Sequence, residues 1–121
     1  MFGWFKKNAP PVSDRREELP KRRQSETIKF EHSNFKWHAT FGFYDDGRLG
    51  EVFLSTAKAG EMGRHLANDA AISASLALQY GCPLEKLMEA LCRDSAGEPQ
   101  TPLAIALSKG MKKEEEEEKA T

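Results

Sequence analysis

Two cysteines, Cys82 and Cys92, are the residues of this 121-residue sequence best suited to nucleophilic or redox chemistry. Cys82 stands in a Gly-Cys-Pro corner between two predicted helices, and a thiol close to a helix N-terminus has its pKa lowered. Cys92 follows ten residues later, so the pair forms neither a CxxC motif nor a zinc-ligand spacing. Free cysteine also packs as a small apolar residue. We therefore interpret both cysteines as structural, with Cys92 on the inner side of the second helix.

Histidines and carboxylates are the other candidates for acid–base or metal chemistry. The histidines come from two predicted strands and a helix, and nothing in their spacing requires them to meet. The carboxylates surround an Asp-Asp-Gly sequence, which is first of all a turn. We therefore predict no catalytic residue, no metal site and no cofactor. These residues are His32, His38 and His65, and Asp45, Asp46 and Glu51.

A basic run precedes the first predicted strand, in the sequence LPKRRQSET. Residues 1–24 carry a net charge of +4, residues 25–108 a net charge of −4 and residues 109–121 a net charge of −1. The near-neutral total of −1 therefore combines a basic N-terminal arm with an acidic folded region. Basic side chains contact phosphates and give salt-dependent binding of nucleic acid. The candidate binding residues for a nucleic acid or nucleotide are Lys21, Arg22, Arg23 and Arg48.

Alternating apolar residues predict three strands, in ETIKFEH, FKWHATFGF and EVFLST. Turn residues at Ser33-Asn34 and Asp46-Gly47 would join them as an antiparallel meander. One face of this sheet is aromatic, and it is the face able to cover helices. We therefore expect core packing from it and no base stacking. In the second strand this face comprises Phe35, Trp37, Ala39, Phe41 and Phe43.

Three helices are predicted after the strands, the first from about Glu61 to Tyr80. Projection at about 100° per residue makes this helix amphipathic. We expect its inner stripe to be Met62, Leu66, Ala70, Ser73, Ala77 and Tyr80, with Arg64, Asn68, Ser75 and Gln79 on the solvent side. Gly81 ends the helix, Pro83 opens the second, and Thr101 caps a short third helix.

These elements predict an α+β fold, a three-stranded antiparallel β-meander packed against a long helix plus two shorter helices. The predicted division is a basic disordered or extended arm (1–24), a folded domain (25–108) and a charged disordered tail (109–121). A core of this size gives modest stability, so we expect oligomerisation or docking on a partner. The sequence has no signal-peptide pattern and no apolar stretch of membrane-spanning length, which predicts a cytoplasmic protein.

Four segments resemble the TSCPD domain family: LPKRRQSET, YDDGRLGEVFLSTAKAG, NDAAISASLALQYGCPLEKLMEAL and TPLAIAL. That domain forms the C-terminal end of many adenosylcobalamin (vitamin B12)-dependent ribonucleotide reductases and also occurs as short stand-alone bacterial proteins. The chain departs from the family in lacking its cysteine-bearing signature, so no metal or redox role tied to that signature transfers. The catalytic, cobalamin and nucleotide residues of the reductases belong to a large barrel, which no stretch here matches.

The resemblance implies an accessory protein associated with deoxyribonucleotide synthesis, not catalytic by itself. The implied partner is the reductase large chain. The small-residue face of the first helix leaves open a homo-oligomer, in which a second copy of the chain completes that face. A nucleic-acid or nucleotide-binding module that uses the basic arm is the alternative.

Overall fold

The structure, a computed structural model, describes residues 15–57 and 60–120, with side chains as far as residue 116. The first fourteen residues of the predicted basic arm lie outside the described residues. The elements, in chain order, are β1 (Ser25–His32), β2 (Phe35–Phe43), β3 (Leu49–Thr56), α1 (Glu61–Gln79), α2 (Leu84–Ala90) and α3 (Pro102–Ala120). The predicted α+β fold class, with an antiparallel meander and a long helix, is confirmed.

The sheet has the strand order β1-β2-β3, so β3 is an edge strand. His32 pairs with Phe35 across a two-residue turn in which Ser33 and Asn34 have φ values of 53° and 69°. Positive φ at both central residues is the geometry that matches the twist of a hairpin. Alternation places one face of β2 inward, as predicted, and its buried residues are Trp37, Ala39, Phe41 and Phe43.

The first helix, α1, lies along the free edge of β3 and supplies hydrogen-bond partners for it. The Val52 N–H donates to Ser75 Oγ at 2.9 Å, and the Ser75 hydroxyl has Val52 O at 3.1 Å and Ala71 O at 2.9 Å as acceptors. Gln79 Nε2 donates to the carbonyl oxygen of Gly50 at 2.9 Å. Backbone groups at a buried strand edge need such partners, because leaving one unpaired costs about 1–3 kcal/mol.

The predicted orientation of α1 is therefore wrong. Ser75 and Gln79, expected in solvent, are buried together with Ala71, Ala74 and Leu78. The expected inner residues Met62, Leu66 and Tyr80 are 70%, 61% and 38% exposed. The polar side chains turn inward because the edge of β3 requires hydrogen-bond partners, and this rotation directs the larger apolar side chains outward.

The helix ends follow the predicted capping residues. Gly81, with φ of 98°, ends α1 in a Schellman motif, in which Cys82 N–H donates to Ala77 O and Gly81 N–H to Leu78 O. Thr101 caps α3, because its Oγ1 accepts a hydrogen bond from Ala104 N–H at 3.1 Å.

The third helix, α3, is longer than predicted and matches α1 in length, with 19 residues each. The tail was expected to begin at residue 109, yet the helix continues to Ala120 and packs on the sheet beyond that point. Met111 contacts the core, Lys113 Nζ lies 3.2 Å from Glu26 Oε2, and Glu114 Oε2 accepts the Leu49 N–H at 2.7 Å. The first glutamate of the acidic run thus has a tertiary partner.

We predict that Ser75→Ala lowers the free energy of unfolding by about 1–3 kcal/mol, since it leaves the N–H and C=O of Val52 without partners at a buried edge. Urea denaturation followed by circular dichroism measures this. Ser55→Ala, at an exposed position of β3, is the matched control and should change the free energy by less than about 0.5 kcal/mol. Equal effects of the two substitutions would contradict the role given to Ser75.

Candidate functional site

Residues 15–24 cross the end of α1 and reach the sheet, forming an arm that the protein holds by specific contacts. The Glu17 N–H donates to Gln79 O at 2.9 Å, and Arg16 Nε donates to the Gln79 side-chain oxygen. Leu19 packs against Gly50, where a Cβ would come within 2.9 Å of a Leu19 methyl carbon and 2.7 Å of the Tyr44 ring. Gly50 therefore permits the arm, β3 and Tyr44 to meet at one place.

Arg48 is the centre of an ion-pair cluster that joins this arm to the turn between β2 and β3. Its Nη1 and Nη2 lie 3.0 and 2.9 Å from the two carboxylate oxygens of Glu17, and its Nε lies 2.7 Å from Asp46 Oδ2. The guanidinium also lies over the Tyr44 ring, 4.5 Å from its centroid, where a cation is attracted to the ring face. The Tyr44 hydroxyl donates to the Glu17 carbonyl oxygen. We call Glu17, Tyr44, Asp46 and Arg48 the Arg48 clamp.

The charges of the clamp reinforce one another. The pKa of Asp46 is held below its ordinary value, first by the side-chain hydrogen bond from Arg48. The pKa of Arg48 is raised, first by its hydrogen bonds to Glu17. Burial, followed by the negative charge of Glu17, raises the pKa of Tyr44. These directions favour the ionised Asp46, the charged Arg48 and the protonated Tyr44 hydroxyl, which are the forms that pair in the clamp.

The four predicted binding residues fall into two groups. Arg23 and Arg48 form internal ion pairs, with Arg23 Nη1 2.9 Å from Glu51 Oε2 and Arg48 in the clamp. Lys21 and Arg22 are exposed, and neither forms an ion pair with another described residue. The structure therefore does not present four free cations on one surface. Of these four residues, Lys21 and Arg22 are exposed without a described ion pair, whereas Arg23 and Arg48 hold the arm.

A cleft of about 220 Å³ lies between the clamp and the start of α2. Its lining residues are Tyr44, Arg48, Leu49, Leu78, Gly81, Cys82, Pro83, Leu84, Glu85 and Glu114. Burial raises the pKa of the Cys82 thiol, which is the opposite of the lowered pKa that activates a nucleophilic cysteine. The volume lies below the roughly 300–1,000 Å³ of common small-molecule sites. The cleft is thus better suited to a side chain of a partner than to a cofactor.

The structure does not bring the remaining candidates, Cys92 and the three histidines, together into a site. Cys92 was predicted on the inner side of the second helix, but α2 ends at Ala90 and the Cys92 side chain is exposed. His38 and His65 are exposed, and His32 is partly buried. Within residues 15–57 and 60–120 there is no group of three or more His, Cys, Asp or Glu side chains arranged to hold a metal ion.

Sequence reasoning named Asp46 and Arg48 separately, but it predicted neither the clamp nor Glu17 and Tyr44 as their partners. Glu17 and Arg48 are separated by 31 residues, and no local period or spacing connects residues so far apart. The Asp46-Gly47-Arg48 turn is visible in the sequence, but Glu17, which pairs with Arg48, lies in a segment without periodicity.

The fold and the clamp together define a small α+β domain whose sheet edge is covered by a helix and whose N-terminal arm is tied to a turn. The TSCPD domain model matches residues 8–115. This chain belongs to the TSCPD domain family. No solved structure matches it closely enough to count as a relative.

The similar proteins found by sequence are much longer than this chain. It is 46% identical over 79 residues to the vitamin B12-dependent ribonucleotide reductase of Agrobacterium fabrum and 43% identical over 79 residues to that of Bradyrhizobium diazoefficiens. Each match covers 65% of this chain and 6% of the relative. The reductase of Rhodopirellula baltica is 40% identical over 74 residues, 61% of this chain and 7% of the relative.

No described helix has the length and apolar character that crossing a bilayer requires.

We predict that Arg48→Gln returns the pKa of Asp46 towards its ordinary value of 3.8, because it removes the hydrogen-bond donor that lowers it. Carboxyl titration by NMR measures the change. Arg64→Gln removes the same charge from an exposed position of α1 and should leave the Asp46 titration unchanged. An Asp46 titration that is the same in wild type and Arg48→Gln would contradict the clamp.

The Asp46–Arg48 ion pair makes the free energy of unfolding depend on pH, with a sign that follows from the lowered pKa of Asp46. Since the pKa of Asp46 is lower in the folded chain than in the unfolded one, its contribution to stability is present above about pH 4 and is lost as the pH falls through the folded-state value. We expect Asp46→Asn to cost less than about 1 kcal/mol at pH 6, as is usual for an exposed ion pair. The cost should shrink steadily below about pH 4, as measured by urea denaturation at each pH.

Proposed function

We propose that this protein acts together with a vitamin B12-dependent ribonucleotide reductase in deoxyribonucleotide synthesis, as an accessory chain and not as the catalyst. The observation that supports this most is the 46% identity with a segment that makes up 6% of the Agrobacterium fabrum reductase. A segment of that size is one domain of a large chain. The proposal is that the present chain performs the role of that domain beside a reductase.

The local chemistry is consistent with an accessory role. The pKa of Cys82 is raised by burial, so this thiol is predominantly protonated near pH 7 and is a poor nucleophile. Arg48 is held by two carboxylates and an aromatic ring. Cys82 and Arg48 thus serve the fold, which supports a protein that acts through its surfaces. A cytoplasmic location is part of the proposal, because two cysteines spaced outside any disulfide framework fit a reducing compartment.

The test is a binding measurement with the reductase large chain of the same organism. We expect saturable binding by biolayer interferometry, and tighter binding to a reductase from which the segment matching this chain has been deleted, since the docking site is then vacant. A reductase with an equally long deletion elsewhere on its surface is the control. Absence of binding to both the full and the deleted reductase would contradict the association.

Activity is tested separately. The purified chain, given ribonucleotide, adenosylcobalamin and a thiol reductant, should show no turnover above a protein-free blank. Turnover by the chain alone would contradict the accessory role even if it bound the reductase.

A second candidate function, binding of nucleic acid by the basic arm, is supported by the adjacent exposed side chains of Lys21 and Arg22. Two such cations can contact two phosphates and release their counterions. Arg23 and Arg48 would have to leave Glu51 and Glu17 to take part, which limits the electrostatic contribution that the arm can make.

Salt dependence decides this candidate. If it is correct, Lys21→Ala/Arg22→Ala reduces the slope of log K against log salt concentration for single-stranded DNA by about 1.4, since each phosphate contact contributes about 0.7. The control Lys29→Ala/Lys36→Ala removes two exposed charges from the sheet and should leave the slope unchanged. Equal slopes for wild type and the Lys21/Arg22 variant would exclude the arm as the nucleic-acid site.

A further inference from the structure

An apolar stripe runs along the outer side of α1. Met62, Leu66, Leu76 and Tyr80 are 70%, 61%, 40% and 38% exposed, and Ile72 and Phe53 beside them are 45% and 49% exposed. If a fully exposed large side chain presents about 200 Å², these six expose on the order of 600 Å² in all. That equals the largest apolar patches of ordinary monomers, which often mark interaction sites.

We propose that this stripe pairs antiparallel with the same stripe of a second copy of the chain. The inference is independent of the proposed function, because the pairing needs no reductase.

The spacing of the stripe supports a helix partner. With Asp69 and Ser73 between its apolar ends, the same side of α1 has residues separated by four and three positions alternately over about 27 Å of helix. This is the a/d spacing of a two-helix seam. We call this set the seam. It consists of Met62, Leu66, Asp69, Ser73, Leu76 and Tyr80.

The seam is also self-complementary, which points to a second copy of this chain as the partner. Its spacing reads the same in both directions, so a two-fold axis at the level of residue 71 superimposes the seam on itself. Met62 then faces the partner's Tyr80, and Leu66 faces the partner's Leu76. Large apolar side chains thus meet large apolar side chains at both ends of the interface.

Polar residues occupy the centre of the seam and select this arrangement. In the antiparallel register Asp69 faces the partner's Ser73, whose hydroxyl can donate to the carboxylate. In a parallel pairing Asp69 would face the partner's Asp69, and in a register shifted by seven residues it would face the partner's Leu66 or the partner's Tyr80. Like charges repel, and a carboxylate against an apolar side chain loses its solvation without compensation. A single polar position of this kind fixes register in helix pairs.

The flanks of the seam fit the same axis. On one side lie Gly63, Ala70 and Ala77, whose small size allows the two helices to approach closely. On the other side, Ile72 lies opposite the partner's Ile72. Ile72 also lines, with Phe53 and Leu76, a cleft of about 190 Å³, which an apolar side chain of the second copy can enter. The apolar surface of about 600 Å² already includes Ile72 and Phe53, and it is about three quarters of the roughly 800 Å² per partner of a stable interface.

The test is the mass of the full chain in solution by sedimentation velocity over a wide concentration range. We expect a dimer, and we expect Leu66→Glu and Leu76→Lys each to raise its dissociation constant by at least about 30-fold. The double variant Leu66→Glu/Leu76→Lys places the two new charges opposite one another across the interface. It should therefore dimerise more tightly than either single variant.

Asn68→Glu is the matched control, since it adds the same charge at an exposed position of α1 outside the seam. It should leave the dissociation constant unchanged, and circular dichroism should show that all variants keep the fold. A monomeric wild-type chain would overturn the proposal, as would a dimer insensitive to Leu66→Glu. A double variant no tighter than the single variants would overturn the antiparallel register. A monomer whose binding to the reductase is abolished by Leu66→Glu would assign the stripe to the reductase instead.

Discussion

The free edge of β3 is the constraint on which the rest of the structure depends. A three-stranded sheet has two edges, and the edge at β3 is covered by a helix, so its backbone groups cannot turn to water. Ser75 and Gln79 supply the missing partners from one face of α1, at Val52 and Gly50. Small residues beside them, Ala71 and Ala74, allow the helix to approach closely enough for these hydrogen bonds to form. The helix is therefore positioned by polar complementarity as much as by apolar burial.

That positioning determines which surfaces are left for function. With its polar and small residues turned towards β3, α1 presents its large apolar side chains to the outside. The same helix end binds the arm, because Gln79 accepts the Glu17 N–H through its carbonyl oxygen while its side chain reaches Gly50 and Arg16. The arm in turn carries Glu17 to Arg48. Edge capping, the clamp and the exposed stripe are thus consequences of one helix orientation, in a family whose relatives carry the domain as a small fraction of a large reductase.

Local signals in the sequence predicted most of the architecture. The alternation of β2, the Ser33-Asn34 turn, the Gly81 stop and the Thr101 cap each depend on neighbouring residues, and the structure has all four. The helical projection of α1 predicts the wrong face because it follows apolar spacing, whereas the edge of β3 requires the polar side chains of Ser75 and Gln79. The extent of α3 was underestimated because Glu114 looked like part of a solvated run, although it accepts the Leu49 N–H. The clamp joins residues far apart in sequence, so no periodic pattern could show it.

The most direct measurement is native-state hydrogen exchange at the Val52 amide. This N–H points away from β2, and its one acceptor among the described residues is Ser75 Oγ. If α1 caps the edge of β3, the Val52 amide exchanges as slowly as the β2 amides that bond within the sheet, and it requires global unfolding to open. If the Val52 amide exchanges at the rate of an exposed strand edge while the β2 amides stay protected, the polar face of α1 does not cover β3 and the account is wrong.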